Sequence, residues 1–370
     1  MSSRQVTFAA AQLGPNQRSD PRESILSRMT ALLDQAASQS PPAQVVVFPE
    51  LAFTTFFPRY FIAGEQELHS YFEFESPGCP IDQSPNVKPF FEYVKRLGVD
   101  VYVGYAEAWN DGQTTEYYNS AVYYSGRSGR VLAKYRKVHL PGAFEPFPEP
   151  GATQQLEKRY FKNGISFQAF RAPGLVDDAL KATATTAATA TATPVPDAPP
   201  PSDGRGDPIF GMLICNDRRW PEGWRAYGLQ GAEVVLCGYN TTAYAPQLLG
   251  SDLYESKPLS RAETEQEVLY HHRLSLTANS YMNACFSVNV AKAGEEDGHP
   301  LIAGTCIVDP KGYVVAEART KEDEIVTATL DLRRCRAGKT RTFDLGRHRQ
   351  LNAYGLLLER AGVEEPPLLS

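Results

Sequence analysis

The sequence predicts an α/β fold in which two sheets pack together and helices cover them on the outside. Two observations lead there: apolar strand-like runs alternate with helical patterns along the chain, and several of the strands read as hairpins. The chain of 370 residues, 42% of them hydrophobic, supplies ample core, and no second pattern boundary asks for a split, so one large domain is expected.

In chain order, Val6 to Ala11 is the first strand. Asp20-Pro21-Arg22-Glu23 reads as a helix start, with Asp20 as the N-cap, Pro in the first turn and Glu three residues after the cap. That helix runs to about Ala37, with Ile25, Met29, Leu32 and Leu33 on one face. Gln44 to Phe48 is a strand leading to Glu50. A helix over Val87 to Leu97 stops at Gly98, a residue suited to a left-handed turn. Val99 to Glu107 follows as a strand, and Tyr117 to Tyr124 with Arg130 to Val138 form a hairpin across a Ser/Gly-rich turn. Strands at Ser166 to Phe170 and Phe210 to Ile214 flank a different stretch. From Lys181 to Asp203, Ala-Thr repeats turn into Pro-rich sequence that cannot form a packed core. It is read as a disordered loop at about 178–207 within a single domain of residues 1–360, with 361–370 as a C-terminal tail. Pro221 to Gln230 is a helix ending at Gly231, and Ala232 to Gly238 a buried strand. Glu263 to Met282 is a long helix. Strands at Cys285 to Ala291, Leu301 to Val308, Tyr313 to Ala318 and Glu324 to Leu330 complete the count.

The net charge of -6 and pI of about 5.7 argue against a nucleic-acid or anionic-membrane surface. No apolar stretch approaches the roughly 18 residues that span a bilayer. The six cysteines show no CxxC and no metal-type spacing, so reduced thiols are expected and no metal site. The N-terminus passes directly into a strand, without a signal peptide, and a cytoplasmic location is expected.

Three residues stand at strand ends. Cys215 follows the apolar run Phe210 to Ile214 and opens the polar, aromatic stretch Asn216-Asp217-Arg218-Arg219-Trp220-Pro221-Glu222. Glu50 follows Val45 to Phe48, and Lys137 ends the strand from Arg130. A thiol followed by backbone donors and two guanidinium groups suits acyl chemistry, and Glu and Lys supply a base and a cation. Each also has an ordinary reading. Cys215 alone is a core thiol, Lys137 a solvated strand-end cation, and Glu157 a surface ion-pair partner. Arg218 and Arg219 could pair with Asp217 and Glu222. His271 and His272 are adjacent on a helix, so their side chains diverge by about 100° and a structural role is expected. Cys237, Cys285 and Cys306 lie in strands and read as core.

Phe48-Pro49-Glu50-Leu51, Lys134-Tyr135-Arg136-Lys137-Val138-His139 and Ile214-Cys215-Asn216-Asp217-Arg218-Arg219-Trp220-Pro221-Glu222 together resemble the nitrilase superfamily of carbon-nitrogen hydrolases. Leu51 to Arg59, Leu156-Glu157-Lys158-Arg159-Tyr160-Phe161, Gly238-Tyr239-Asn240-Thr241, His271-His272 and His348-Arg349-Gln350 are most similar to its N-carbamoyl-D-amino acid amidohydrolase branch. The resemblance implies a four-layer αββα sandwich and a homo-oligomer, dimer or tetramer, that needs no cofactor. It implies Cys215 as nucleophile, Glu50 as base, Lys137 as oxyanion stabiliser and Glu157 as a second carboxylate holding the lysine. Substrate contacts fall to Arg218 and Arg219, supported by Asn216 and Asn240, with His139 shaping the site. The implied substrate is a small N-carbamoyl amino acid or a related amide. In that branch a histidine stands two residues before the second glutamate; here the place is Gln155, which hydrogen-bonds but transfers no proton. Two other readings stay open: an amidase or nitrilase acting on another small C–N substrate, and a catalytically silent binding protein on the same fold.

Overall fold

The computed structural model describes residues 4–149, 152–176, 206–245 and 259–368. The low-complexity stretch falls almost wholly outside them. In chain order, β1 (Gln5–Gln12), β2 (Val45–Val47), β3 (Phe72–Glu75), β4 (Asp100–Asn110), β5 (Thr115–Ser125) and β6 (Arg130–Arg136) build one sheet. Next, β7 (Phe170–Arg171), β8 (Ile209–Ile214), β9 (Val234–Tyr239), β10 (Phe286–Ala291), β13 (Cys306–Val308) and β14 (Val314–Glu317) build the other, with β11 (Glu295–Glu296) and β12 (His299–Pro300) as a small hairpin between β10 and β13. The last strand, β15 (Glu324–Asp331), returns to pair antiparallel with β1, so the first sheet runs β15-β1-β2-β4-β5-β6 with β3 on the far end of β4.

Side-chain alternation explains the layering. Val6, Phe8 and Ala10 of β1, and Val45 and Val47 of β2, join the core between the sheets with Phe210, Met212, Leu236 and Val288 of the second sheet. Ala9, Ala11 and Val46 point the other way, into a core with Ile25, Met29, Leu33, Phe90 and Phe91 of the helices Arg22–Ala37 and Lys88–Leu97. On the far side of the second sheet, Trp224 of helix Pro221–Leu229 and Leu276 of helix Arg261–Met282 are buried completely. The order is helix, sheet, sheet, helix, as expected. Phe8 meets Phe210 edge-on at 5.6 Å across the two sheets. The Tyr102 hydroxyl also crosses, donating to the Leu213 carbonyl at 2.8 Å and accepting from the Gly238 N–H at 3.2 Å.

Most elements match the sequence reading to within a residue or two, and Gly98 ends its helix at φ 68°. Three expectations fail. Asp20 does not cap the first helix: Pro21 occupies the cap position, and the Asp20 carboxylate accepts from the Gln17 N–H instead. The strand placed at Ser166 to Phe170 shrinks to Phe170–Arg171, because only those residues find partners on β8. The strand placed at Leu301 to Val308 begins only at Cys306, because Ala303 and Gly304 take φ of 53° and 82° and break the extended run.

The sheets bring the carboxyl ends of β2, β6, β8 and β9 to one edge of the sandwich. β2 runs parallel to β4, two antiparallel pairings make β6 parallel to β4 as well, and β8 and β9 are parallel to one another. Two glycines allow the backbone around Glu50 to sit between the sheets. A Cβ on Gly104 would stand 2.8 Å from the Glu50 Cα, and a Cβ on Gly238 2.8 Å from the Glu50 N and 2.7 Å from the Pro49 carbonyl carbon. Gly104→Ala and Gly238→Ala are therefore each expected to destabilise the fold by about 1–3 kcal/mol through overpacking. Gly346→Ala, with nothing within 4 Å of its Cβ, is the neutral comparison. Urea midpoints of the three variants check this, and equal midpoints would remove the close-packing argument.

Candidate active site

Glu50 lies three residues beyond β2, Lys137 one residue beyond β6, and Cys215 immediately after β8. Glu157 opens a short helical turn, Glu157–Tyr160. The structure brings all four into one buried cluster; Glu50, Lys137 and Glu157 are wholly buried and Cys215 is 6% exposed. The Lys137 ammonium donates to Glu50 Oε1 at 2.7 Å and to both Glu157 oxygens at 2.8 and 2.6 Å. Glu157 is thus no surface ion-pair partner. Asn119 on β5, which the sequence reading overlooked, places its amide between the carboxylates, donating to Glu50 Oε1 at 2.8 Å and Glu157 Oε2 at 3.2 Å. Its signal was an Asn inside the apolar run Tyr117 to Tyr124.

Burial pulls the Lys137 pKa down, but Glu157 and Glu50 more than offset it and hold the group above the ordinary lysine range. Burial raises the Glu157 carboxyl, opposed by Lys137 and reinforced by Glu50. Burial also raises the Cys215 thiol, with Glu50 adding to it while Lys137 and Arg218 work the other way. The thiol therefore rests protonated, and it becomes a nucleophile only if a neighbour takes its proton.

Cys215 has φ of 47° and Leu51, next to Glu50, has φ of 46°. Both are non-glycine residues in the left-handed region, each costing on the order of 1–3 kcal/mol. The bend turns the chain sharply out of β8 into the turn Cys215–Arg219. Asp217 in that turn does not pair with the arginines. Its carboxylate accepts from the His139 N–H at 2.9 Å, the Tyr135 hydroxyl at 2.7 Å and the Ile214 N–H at 3.2 Å, and lies 2.8 Å from His139 Nδ1.

The two arginines separate. Arg218 is wholly buried; its Nε donates to His272 Nδ1 at 3.0 Å, Nη1 to the Cys215 carbonyl at 2.7 Å and Nη2 to Thr241 Oγ1 at 3.0 Å. The expected guanidinium pair thus divides in this structure: Arg218 is held inside the protein, supports the Cys215 turn, and brings Nη1 to 3.7 Å from the Cys215 sulfur. Because Arg218 donates to Nδ1, His272 must be neutral with its proton on Nε2, which faces the Gly304 carbonyl at 3.2 Å. Burial and then Arg218 drive the His272 pKa well below its ordinary value. Arg219 is exposed as a residue, although crowding by the surrounding protein, and then the Arg218 charge, pull its pKa down to about 10; among the described residues it makes one long hydrogen bond of 3.4 Å, to Asn216 Oδ1.

The remaining residues line the approach or brace it. Asn216 donates to the His139 carbonyl at 3.2 Å, and the His139 ring stacks on Trp220 at 4.9 Å. Gln155 donates to Glu157 Oε1 at 2.7 Å. Asn240 engages through its peptide, its N–H donating to Glu50 Oε2 at 2.9 Å and its carbonyl accepting from the Cys215 thiol at 3.5 Å. Its side chain turns instead to Arg59 and Glu296, so the expected substrate contact of that side chain is not what the structure places there. No His/Cys/Asp/Glu group among the described residues could hold a metal ion. All six cysteines are free, with Cys237, Cys285 and Cys306 in the core.

Behind Asn240 lies a set of charges with no sequence signature. Arg59 Nη1 donates to Glu296 Oε2 at 2.6 Å and Lys292 Nζ to Glu296 Oε1 at 2.9 Å, all fully or nearly buried. Burial alone would raise the Glu296 carboxyl, but Lys292 and Arg59 overcome it and hold it at about 2. A carboxylate depressed on folding contributes stability that is present above its unfolded pKa, about 4.3, and is lost as pH falls toward the folded value. The expected contribution at pH 7 is on the order of 3 kcal/mol. Between pH 5 and pH 3 the wild type should therefore lose more unfolding free energy than Glu296→Gln, as read from urea titrations at each pH. Parallel losses would show that Glu296 does not carry this term.

The family model described as carbon-nitrogen hydrolase matches residues 7–340. A nitrilase from Pyrococcus abyssi is 26% identical over 88% of this chain and 90% of its own length. An N-carbamoylputrescine amidase from Arabidopsis thaliana is 24% identical over 86% of each chain. Among solved structures, a carbon-nitrogen hydrolase from Helicobacter pylori superimposes with a TM-score of 0.67 at 20% identity, covering 97% of this chain and 99% of its own. No helix among the described residues is long and apolar enough to cross a membrane. With the family model spanning nearly the whole chain and the fold shared with its solved relatives, this protein belongs to the carbon-nitrogen hydrolase family.

Proposed function

We propose that this enzyme hydrolyses N-carbamoyl amino acids, with Cys215 as nucleophile, Glu50 as general base and Lys137 as the cation whose charge stabilises the oxyanion. The observation that carries the reading is the buried Glu50–Lys137–Glu157 cluster joined to a strained thiol, with one exposed guanidinium four residues from that thiol. In the first half-reaction Glu50 takes the Cys215 proton and the sulfur attacks the carbamoyl carbon. The carbonyl oxygen becomes an oxyanion stabilised by Lys137 and the Asn216 N–H, a form of stabilisation in which one donor is typically worth about 10²–10³ in rate. The proton on Glu50 passes to the departing nitrogen, releasing the amino acid and leaving an S-carbamoyl enzyme. In the second half, Glu50 deprotonates a water that attacks the same carbon. The thiolate leaves and recovers the proton, and the carbamic acid falls apart into carbon dioxide and ammonia. Glu157 holds Lys137, and Gln155 and Asn119 hold Glu157, without themselves exchanging protons.

Arg219 supports a carboxylate on the substrate. A guanidinium with no carboxylate partner among the described residues suits bidentate recognition of one. The likeness to N-carbamoylputrescine amidases supports a carbamoyl group as the part attacked. The nitrilase relative keeps open an amidase or nitrilase acting on another small substrate. The preference for the D-isomer rests on the sequence resemblance. A catalytically silent binding protein is the reading least in keeping with an intact cluster.

Ammonia release from N-carbamoyl-D- and N-carbamoyl-L-phenylalanine, with Cys215→Ala as control, tests the reaction. Release from the D-isomer that vanishes in the variant is the expected result. Release from neither isomer, while Cys215 still reacts with iodoacetamide, would turn the assignment to amides and nitriles. Arg219→Ala is expected to raise KM for the carboxylated substrate by a factor of about ten or more, from the loss of a charge-assisted pair. The KM for an uncharged N-carbamoyl amine should stay within about twofold. Equal effects on both substrates would remove Arg219 from carboxylate recognition.

A further inference from the structure

We propose that Arg59 and Glu296 are positioning residues that set the relation of Glu50 to Cys215 by clamping Asn240. The inference rests on the assignment of Glu50 and Cys215 above. Asn240 touches both through a single residue's peptide groups: its N–H meets Glu50 Oε2 at 2.9 Å and its carbonyl receives the Cys215 thiol at 3.5 Å. Any rotation of that segment would move the base and nucleophile contacts together. The side chain prevents rotation, because Arg59 Nη2 donates to its Oδ1 and its Nδ2 donates to Glu296 Oε2 at 3.3 Å.

Glu296 is itself pinned. Besides Arg59 and Lys292 it accepts from the Asn16 N–H at 3.2 Å and the Phe56 N–H at 3.2 Å, and Lys292 is tied to the Thr54 carbonyl. The segment bearing Glu296 is laced to the one bearing Asn240 by Ala243 N–H to the Pro300 carbonyl at 2.7 Å and Ile302 N–H to the Thr241 carbonyl at 3.0 Å. Three buried charges are an expensive way to fill space that apolar side chains could fill. Two of them, Arg59 and Glu296, bond the side chain of Asn240, the residue that joins base and thiol, and that placement gives them a use.

The cluster also carries charge. Arg59 and Lys292 against Glu296 leave one net positive charge behind Asn240. In front of it, Glu50 faces Lys137, Asn119 and Glu157, while Cys215 faces Arg218 and Thr241. His299 and Asp297 lie on the hairpin side of Arg59. Removing Arg59's charge and removing Glu296's charge change the field at the thiol in opposite senses, although both break the same clamp.

The test is the pH dependence of Cys215 alkylation by iodoacetamide in the full chain, followed by mass spectrometry of the Cys215 peptide, together with kcat and KM on the carbamoyl substrate. Asn240→Ala should lower kcat on the order of 10- to 100-fold with KM within about twofold, the scale of a small misplacement of reacting groups. Arg59→Gln should move the acid limb of the alkylation profile to higher pH and Glu296→Gln to lower pH, and Arg59→Lys should restore most of the wild-type profile. Shifts in the same direction, or none, would overturn the proposal. Arg59→Gln and Glu296→Gln should also each lower kcat with KM little changed; wild-type kcat in both, even with opposite profile shifts, would overturn the clamp in favour of a field effect alone, as would wild-type kcat in Asn240→Ala. Should Arg59→Gln not fold, Asn240→Ala decides, because it leaves the ion pairs in place. Turnover surviving in Cys215→Ala would instead sink the catalytic assignment beneath this one.

Discussion

Lys137 held between two carboxylates is the constraint on which the rest of the structure depends. An ammonium with no exposure is tolerable only where each of its donors is taken by opposite charge, and here three oxygens from Glu50 and Glu157 take them. Those residues come from places far apart in the chain: the end of β2, the end of β6 and a turn after it. They meet because β2, β4 and β6 point the same way in one sheet. The sheet order is thus a requirement of the ion cluster as much as of the hydrophobic core. Asn119, one strand over on β5, sits at the height where its amide reaches both carboxylates.

The second sheet supplies the thiol and does so at a cost in backbone strain. Leu51 and Cys215 both adopt positive φ, one in each sheet, at the points where the chain leaves its strand. Strain of this kind persists only where its surroundings fix it. Around Glu50 they are the glycines at 104 and 238, which let β4 and β9 close on the backbone. Around Cys215 they are Arg218, wedged beneath the turn and bonded to the Cys215 carbonyl, and Asp217, which gathers His139, Tyr135 and the Ile214 N–H. The electrostatics follow: a buried thiol flanked by carboxylates stays protonated, so its reactivity depends on a base rather than on a standing thiolate.

The layered fold was legible in the sequence because its signals are local. Periodicity places Val6 to Ala11, Val45 to Val47 and the helix faces of Ile25 and Phe90 without knowledge of their partners. Failures came where tertiary pairing overrides propensity: Ser166 to Phe170 is extended but has only two residues' worth of partner, and Ala303 and Gly304 interrupt an apolar run that reads as a strand. Glu50, Lys137 and Cys215 were visible because each ends a strand in a motif. Asn119, Asp217 and the cluster of Arg59, Glu296 and Lys292 were not singled out. Their partners lie as far as 280 residues away, as for Glu296 and the Asn16 N–H, and no spacing rule reports such a pairing. Arg218 illustrates a subtler limit, since sequence shows two adjacent guanidinium groups but not which way each one faces.

That difference in facing bears on specificity. In the tight turn Cys215–Arg219, consecutive side chains leave on different sides, so one arginine enters the core while its neighbour stays at the surface. The buried one accepts a cost in desolvation that its bonds to His272, Thr241 and the Cys215 carbonyl offset, and it requires His272 to remain neutral. The exposed one, among the described residues, holds a single 3.4 Å bond to Asn216. A substrate carboxylate would then meet one guanidinium rather than two. On the proposed reading, recognition by a single fork at the rim fixes the position of the anion but leaves the rest of the substrate to neighbouring groups such as the stacked His139 and Trp220 rings. Selectivity between side chains, and between mirror images, would thus be decided by shape at that rim rather than by charge.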